Sequence, residues 1–243
     1  MGETLGAFIT RTRLERALYL MSHRKGVRLT DIALACGFSS SSDFSRVFRA
    51  RYGVPPRKFD LEGWRTARRE AMVARLPRKS NPDRFAVNVC EMPARRVAYL
   101  RVHKPYGGDG VVQAVAQLMA WAEARQLADG QWLGYQWDDP EIVELAKCRY
   151  DVGLEIPDAT DVGKHLSVTT FPAGLVAEID IKGTVELELR ALHWLFFSWL
   201  PTSGYAPAHQ PMFEAFNGRP FAHGMEHFEL RIQLAVVDAT VPL

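Results

Sequence analysis

One carboxylate in this chain sits among neighbours that do not suit a charge. In "PMFEAF", residues 211–216, Glu214 is flanked by apolar and aromatic residues. On a strand, Phe213 and Ala215 face one way, and Glu214 shares the other face with Met212 and Phe216. A carboxylate in such company is costly unless it is paired. A flat, lipophilic cation would satisfy it by ion pairing and cation–π contact. An exposed edge strand with a solvated Glu214 fits the same pattern. Tyr106, Trp137, Tyr150 and Phe216 are the aromatic candidates to line a pocket with it, against the alternative that aromatic residues simply fill the core.

A second chemistry lies in "GFSSSSDFSRVFRARYG", residues 37–53. At about 100° per residue, Phe44, Val47 and Phe48 fall on one helix face. Ser42, Ser45, Arg46 and Arg49 fall on the opposite face, with Ser41 at the leading edge. Small residues let a helix approach base edges closely. Serine hydroxyls donate or accept, and Arg46 can bind guanine through two hydrogen bonds. Arg49, Arg51, Arg57 and Lys58 suit phosphate oxygens. A helix hairpin with a solvated polar face fits the spacing equally well.

Other chemistries find little support. "KPYGGDG" is glycine-rich but lacks dinucleotide or phosphate-loop spacing. His223 and His227 are four apart, yet Gly224 and the strand-like run that follows argue against a metal-binding helix face. No serine or cysteine carries a nucleophile motif. The expectation is no metal and no cofactor. Cys36, Cys90 and Cys148 are odd in number and far apart, as expected of free thiols in a reducing compartment.

These residues need elements to hold them. Residues 7–22 place Leu14, Ala17, Leu18 and Met21 on one stripe, which predicts an amphipathic helix. "LTDIALACGF" predicts a short helix over Asp31–Cys36 with Thr30 as N-cap. A further helix runs from the serines to about Tyr52, where Gly53 and Pro55-Pro56 stop it. Two short helices joined by a glycine-containing turn form a helix-turn-helix, whose second helix enters the major groove. Part of the stretch after Lys58 reads as helix, and "PRKSNPD" reads as a linker. The boundary falls near residues 77–83, giving regions 1–79 and 82–243.

The second region alternates strands and helices. "FAVNVCEMP" and "RRVAYLRV" read as a strand pair, followed by the helix "GVVQAVAQLMAWAEARQL". "CRYDVGLEIP", "LSVTTFP" and "LVAEIDIKG" read as strands, "VELELRALHWLFFSWLP" as a second helix and "FELRIQLAVV" as a last strand. The order suggests a coarse duplication.

Charge divides the chain in the same way. Residues 1–79 hold 17 Lys and Arg against 7 Asp and Glu, a net +10. The remainder holds 13 against 21, a net −8, so the overall +2 hides the split. This suits a nucleic-acid-facing half joined to a half with another task, or else two solvated surfaces of opposite sign. No apolar stretch follows the basic N-terminal residues, and no apolar run is long enough to span a bilayer. A soluble, cytoplasmic protein without membrane contact is expected.

"RLERALYLM" and "LTDIALACGFSSSSDFSRVFRARYGVPPRKF" closely resemble the C-terminal part of the AraC/XylS DNA-binding domain, which has two helix-turn-helix units joined by a long helix. The resemblance assigns Ser41, Ser42, Ser45 and Arg46 to base contact. It places the first unit's own helices upstream of Met1. "YQWDDPEIVELAKCRYDVGLEIP", "FPAGLVAEIDIKG" and "SWLPTSGYAPAHQPMFEAF" resemble a GyrI-like effector-binding domain. That resemblance implies an antiparallel sheet of two βαββ-type halves around a ligand cleft, with Glu214 in the cleft and Tyr106 where "GPY" is usual. The expected fold class is α+β, an all-α helix-turn-helix region followed by that sheet domain. The expected function is a transcription regulator sensing a lipophilic cationic or aromatic effector. Its expected partners are DNA, the effector, RNA polymerase and a second copy. The alternatives are a hydrolase of a toxic, strained small molecule and a ligand-sequestering protein.

Overall fold

The computed structural model describes residues 4–24, 26–64, 81, 83–106, 108–140 and 142–240. The chain divides into two compact units, one built largely on Met1–Ala74 and the other on Arg75–Asp138 and Glu144–Asp238. The expected linker and the helical reading after Lys58 lie mostly outside the described residues. Among those residues, no helix is long and apolar enough to cross a membrane.

The first unit is helical. Helix α1 (Leu5–His23) starts on Thr4, whose side chain accepts from the Ala7 amide, and buries Leu14, Ala17, Leu18 and Leu20. Leu20 takes the buried place expected of Met21, which is only half-buried. Helix α2 (Leu29–Ala35) starts two residues earlier than expected. Its N-cap is Arg28, not Thr30, and Arg28 instead ties the first turn by an ion pair to Asp31 at 2.9 Å. Helix α3 (Ser41–Tyr52) is capped by Ser40, whose hydroxyl accepts from the Asp43 amide. Gly37 and Gly53 have φ of 80° and 81°, the left-handed values a side chain resists, and they set the turn before α3 and its end. Phe44 and Phe48 are fully buried and Val47 half-buried. Their rings continue through Phe38, Tyr52 and Phe59, with neighbouring centroids 4.6–5.4 Å apart. Each such Phe contributes about 1.5–3 kcal/mol by burial, so the apolar face fixes which side of α3 looks outward.

Among the described residues, the second unit is one antiparallel sheet with two α-helices. Its strands are β1 (Asn88–Met92), β2 (Arg95–His103), β3 (Trp132–Gln136), β4 (Arg149–Glu155), β5 (Ser167–Phe171), β6 (Gly174–Gly183), β7 (Tyr205–Pro207), β8 (Met212–Phe216) and β9 (Phe228–Asp238). Helix α4 (Gly110–Glu123) follows β2, and α5 (Val185–Trp194) follows β6. The strand order is β1-β6-β9-β8-β3-β4-β2-β5, with β7 also on β9. The order contains the same path twice. β2, α4, β3, β4 form one βαββ half, β6, α5, β8, β9 the other, and they meet at the β3–β8 pair.

The expected pairing of the first two strands does not occur. β1 pairs with β6, and β2 pairs with β4 and β5. Each half thus lends the strand before it to the other half's edge. Both helices lie on one face. Leu118 and Ala122 of α4 pack with Trp132, Val152 and Leu154, and Ala191 of α5 packs with Ile179, Ile181 and Ile232. The opposite face carries Val97, Leu133, Tyr135, Phe171, Phe213 and Ala215.

Candidate functional site

Strand parity places the first functional group. On β8, Phe213 and Ala215 join the cluster on the helix-free face, so Glu214 points to the helix-bearing face together with Phe216, which packs against the cores of both halves. Glu214 is opposite Gly134 of β3, and Gln136 is opposite Tyr150 of β4. Tyr150 leans diagonally across Gly134, a reach typical of long cross-strand neighbours. Its hydroxyl donates to Glu214 Oε2 at 2.5 Å. Gly134 makes this crossing possible: a Cβ there would lie 1.7 Å from the Tyr150 hydroxyl and 2.7 Å from Glu214 Oε2.

Further groups complete a polar chain. Gln136 Nε2 donates weakly to Glu214 Oε1 at 3.4 Å, and Tyr106 donates to Gln136 Oε1 at 3.1 Å. From α5, the Glu188 side chain lies against Glu214. Glu188 and Glu214 are only 7% and 8% exposed. Burial raises the Glu214 carboxyl above its ordinary range, against hydrogen bonds from Tyr150, Gln136 and Glu188 that lower it. Burial raises Glu188 well above its range, and the charge of Glu214 adds to this. Burial likewise drives the Tyr150 phenol well up, with Glu214 next. Two carboxyls in contact inside a protein do not both ionise. Burial raises both carboxyls, Glu188 the more strongly, so the pair favours keeping a proton between them.

The turn before β4 holds Tyr150 in place. Asp138 accepts from the Arg149 amide, Nε and NH2 at 2.9, 2.8 and 2.6 Å. This clasp joins the "DDP" and "CRYD" stretches and fixes the residue before Tyr150.

Of the expected cleft residues, Glu214, Tyr150 and Phe216 come together, and Tyr106 joins through Gln136. Trp137 does not. Its indole donates to Asp151 at 3.1 Å and its ring neighbours Tyr135 and Phe171, on the other face of the sheet. Parity explains this, since Trp137 follows Tyr135 by two residues. Glu188, Gln136 and Gly134 were not anticipated. A usable signal for Glu188 existed: it precedes the buried Ala191 and Leu195 by three and seven residues, on one helical stripe.

The helical unit presents the second site. On α3, Ser42, Arg46 and Arg49 are exposed and Ser41 and Ser45 half-buried, opposite Phe44 and Phe48. Arg46 NH2 donates to Asp43 Oδ1 at 2.8 Å, while Asp43 Oδ2 accepts from Ser39 at 3.1 Å. Arg46 first, then Ser39, hold the Asp43 carboxyl below its usual range. Asp43 thus orients the guanidinium, a role not read from the sequence.

Known proteins resemble both regions. Residues 85–237 match the family described as GyrI-like small molecule binding domain, and residues 1–61 match a helix-turn-helix domain. A DNA gyrase inhibitor of Serratia proteamaculans is 30% identical over 156 residues, 63% of this chain and 98% of that protein. The probable transcriptional regulator LumQ of Photobacterium leiognathi is 41% identical over 61 residues, 25% of this chain and 24% of that protein. The cryo-EM structure of the EcmrR-DNA complex is similar in fold, with a TM-score of 0.54 at 14% identity over 88% of this chain and 78% of that one.

Proposed function

The chain belongs to the GyrI-like small-molecule-binding family and carries an AraC-type helix-turn-helix domain, and from this premise we propose that it is a regulator whose cleft takes flat, lipophilic organic cations. It is a DNA-binding transcription regulator with an effector domain. What the cleft selects, and how the signal is used, is our reading. One observation carries it: the buried Glu214 carboxylate, held by Tyr150 and bordered by Phe216. Tyr106 closes the polar chain on Gln136, and Tyr150 and Phe216 offer ring faces. A cation entering this low-dielectric site replaces lost solvation with a direct charge partner. On the helical unit, Arg46, with Ser41, Ser42 and Ser45, reads base edges, and Arg49 binds phosphate. Effector binding then alters DNA occupancy or contact with RNA polymerase, in a cytoplasmic setting and as a homodimer.

Calorimetry separates charge recognition from simple burial. The probes are N-methyl-phenylpyridinium, which carries one fixed charge, and uncharged phenylpyridine. Glu214→Gln is expected to weaken the cation by roughly 30-fold or more, as for loss of one partner of a buried charge pair. The neutral ligand should change far less. Equal losses for both ligands would remove charge recognition from the cleft.

A further inference from the structure

Glu188 is more than a cation site of one charge requires. Glu214 already has Tyr150 and Gln136 as hydrogen-bond donors. For a monocation, a neutral amide at position 188 would do the same hydrogen-bonding work. A carboxyl on the buried stripe of a helix, beside Ala191 and Leu195, is instead costly to keep. Among the described residues, the titratable groups that act on Glu188 are Glu214 on β8, with Tyr150 on β4 and Tyr106 after β2 behind it. All of these are acids, so no protein cation in that set offsets a second negative charge.

Building on the reading of the cleft as a cation site, we propose that Glu188 is the specificity-determining residue for charge number, and that Glu188 and Glu214 together seat an aromatic dication. A monocation finds the pair as it stands, with Glu214 ionised and Glu188 protonated, and displaces no proton. The second charge of a dication stabilises the doubly ionised pair. Glu188 then loses its proton to solvent, and its carboxylate faces the second cationic centre. The charge change balances: one ligand charge pairs with Glu214, the other with Glu188, and one proton leaves.

Methyl viologen and N-methyl-phenylpyridinium share a two-ring skeleton and differ by one fixed charge, and neither titrates. Titrating each into the full chain, in buffers of different ionisation heat, counts the protons released. About one proton per site is expected for methyl viologen and about none for the monocation. Affinity for the dication should rise with pH, and affinity for the monocation should not. Glu188→Gln should remove the proton release and lower the affinity for methyl viologen relative to the monocation by roughly 30-fold. Proton release equal for both ligands, or an unchanged ratio of affinities in Glu188→Gln, would overturn the role of Glu188. In that case monocation binding that still depends on Glu214 keeps the cation site standing. If neither cation binds, or binding ignores Glu214, the underlying cation reading fails instead.

Discussion

Glu188 should also affect stability without a ligand. A glutamate in the unfolded chain titrates near about 4.3, whereas burial first, and then the charge of Glu214, hold folded Glu188 well above that. Between the two values the folded protein binds the extra proton. Stability from this group is therefore complete at low pH and declines as pH rises through that window. Each unit of difference is worth about 1.4 kcal/mol. Glu188→Gln removes the titration and keeps the shape. Its Tm should match that of the parent protein near about pH 4 and exceed it at about pH 8, by roughly 2–4 °C per kcal/mol for a domain of this size. Thermal denaturation across pH checks this, and equal Tm values at both ends would mean that Glu188 is not held protonated by the fold. The sequence hid this residue in plain view. "VELEL" alternates acids with apolar residues and reads as a solvated first turn of a helix. The helical stripe with Ala191 and Leu195 hints that one acid is inside, and the contact with β8, a strand that starts 24 residues later, shows which chemistry it meets. Glu214 was legible because all its immediate neighbours are apolar.

At the scale of elements, α3 was the most readable part of the chain. Its cap, its stop and its apolar face are all local, within the 12 residues of the helix and its two flanks. The sheet was less readable, because parity is local but pairing is not. β1 looked for a partner in β2, its neighbour in sequence, and found it in β6, with Asn88 opposite Glu178. Trp137 was misplaced for the same reason. The sequence puts it on the face of Tyr135, and only the Gly134–Glu214 register shows that this is the face away from Glu214. The two arginines of α3 separate reading from holding. Arg46→Ala should cost about 1–3 kcal/mol at a DNA site selected from a random pool, and relax the preference at one base pair. Arg49→Ala should weaken all sequences alike and flatten the salt dependence. Binding and footprinting of both variants distinguish these outcomes. An unchanged sequence preference in a folded Arg46→Ala protein would show that α3 does not read bases through this residue.

Across the whole molecule, the +10 and −8 regions suit the proposed division between a polyanion-binding task and a cation-binding one. If the effector controls DNA binding, the coupling is reciprocal: the factor by which the cation changes DNA affinity must equal the factor by which DNA changes cation affinity. Fluorescence anisotropy for DNA and calorimetry for the cation, each with and without the other ligand, should agree on a factor of about 5–150. A factor of one in both directions would leave the two units energetically independent. The exchange of edge strands has a consequence for biosynthesis. β9, at the C-terminal end of the sheet domain, pairs with β6, β7 and β8. While the chain is emerging from the ribosome, β2, β3, β4 and β5 can assemble early. The β3 edge that later receives β8 then stays bare until β8 has been made, well after β4. An unpaired edge of this kind recruits other chains, so the nascent protein passes through a period in which the arrival of β8, or a chaperone over that edge, decides between folding and aggregation.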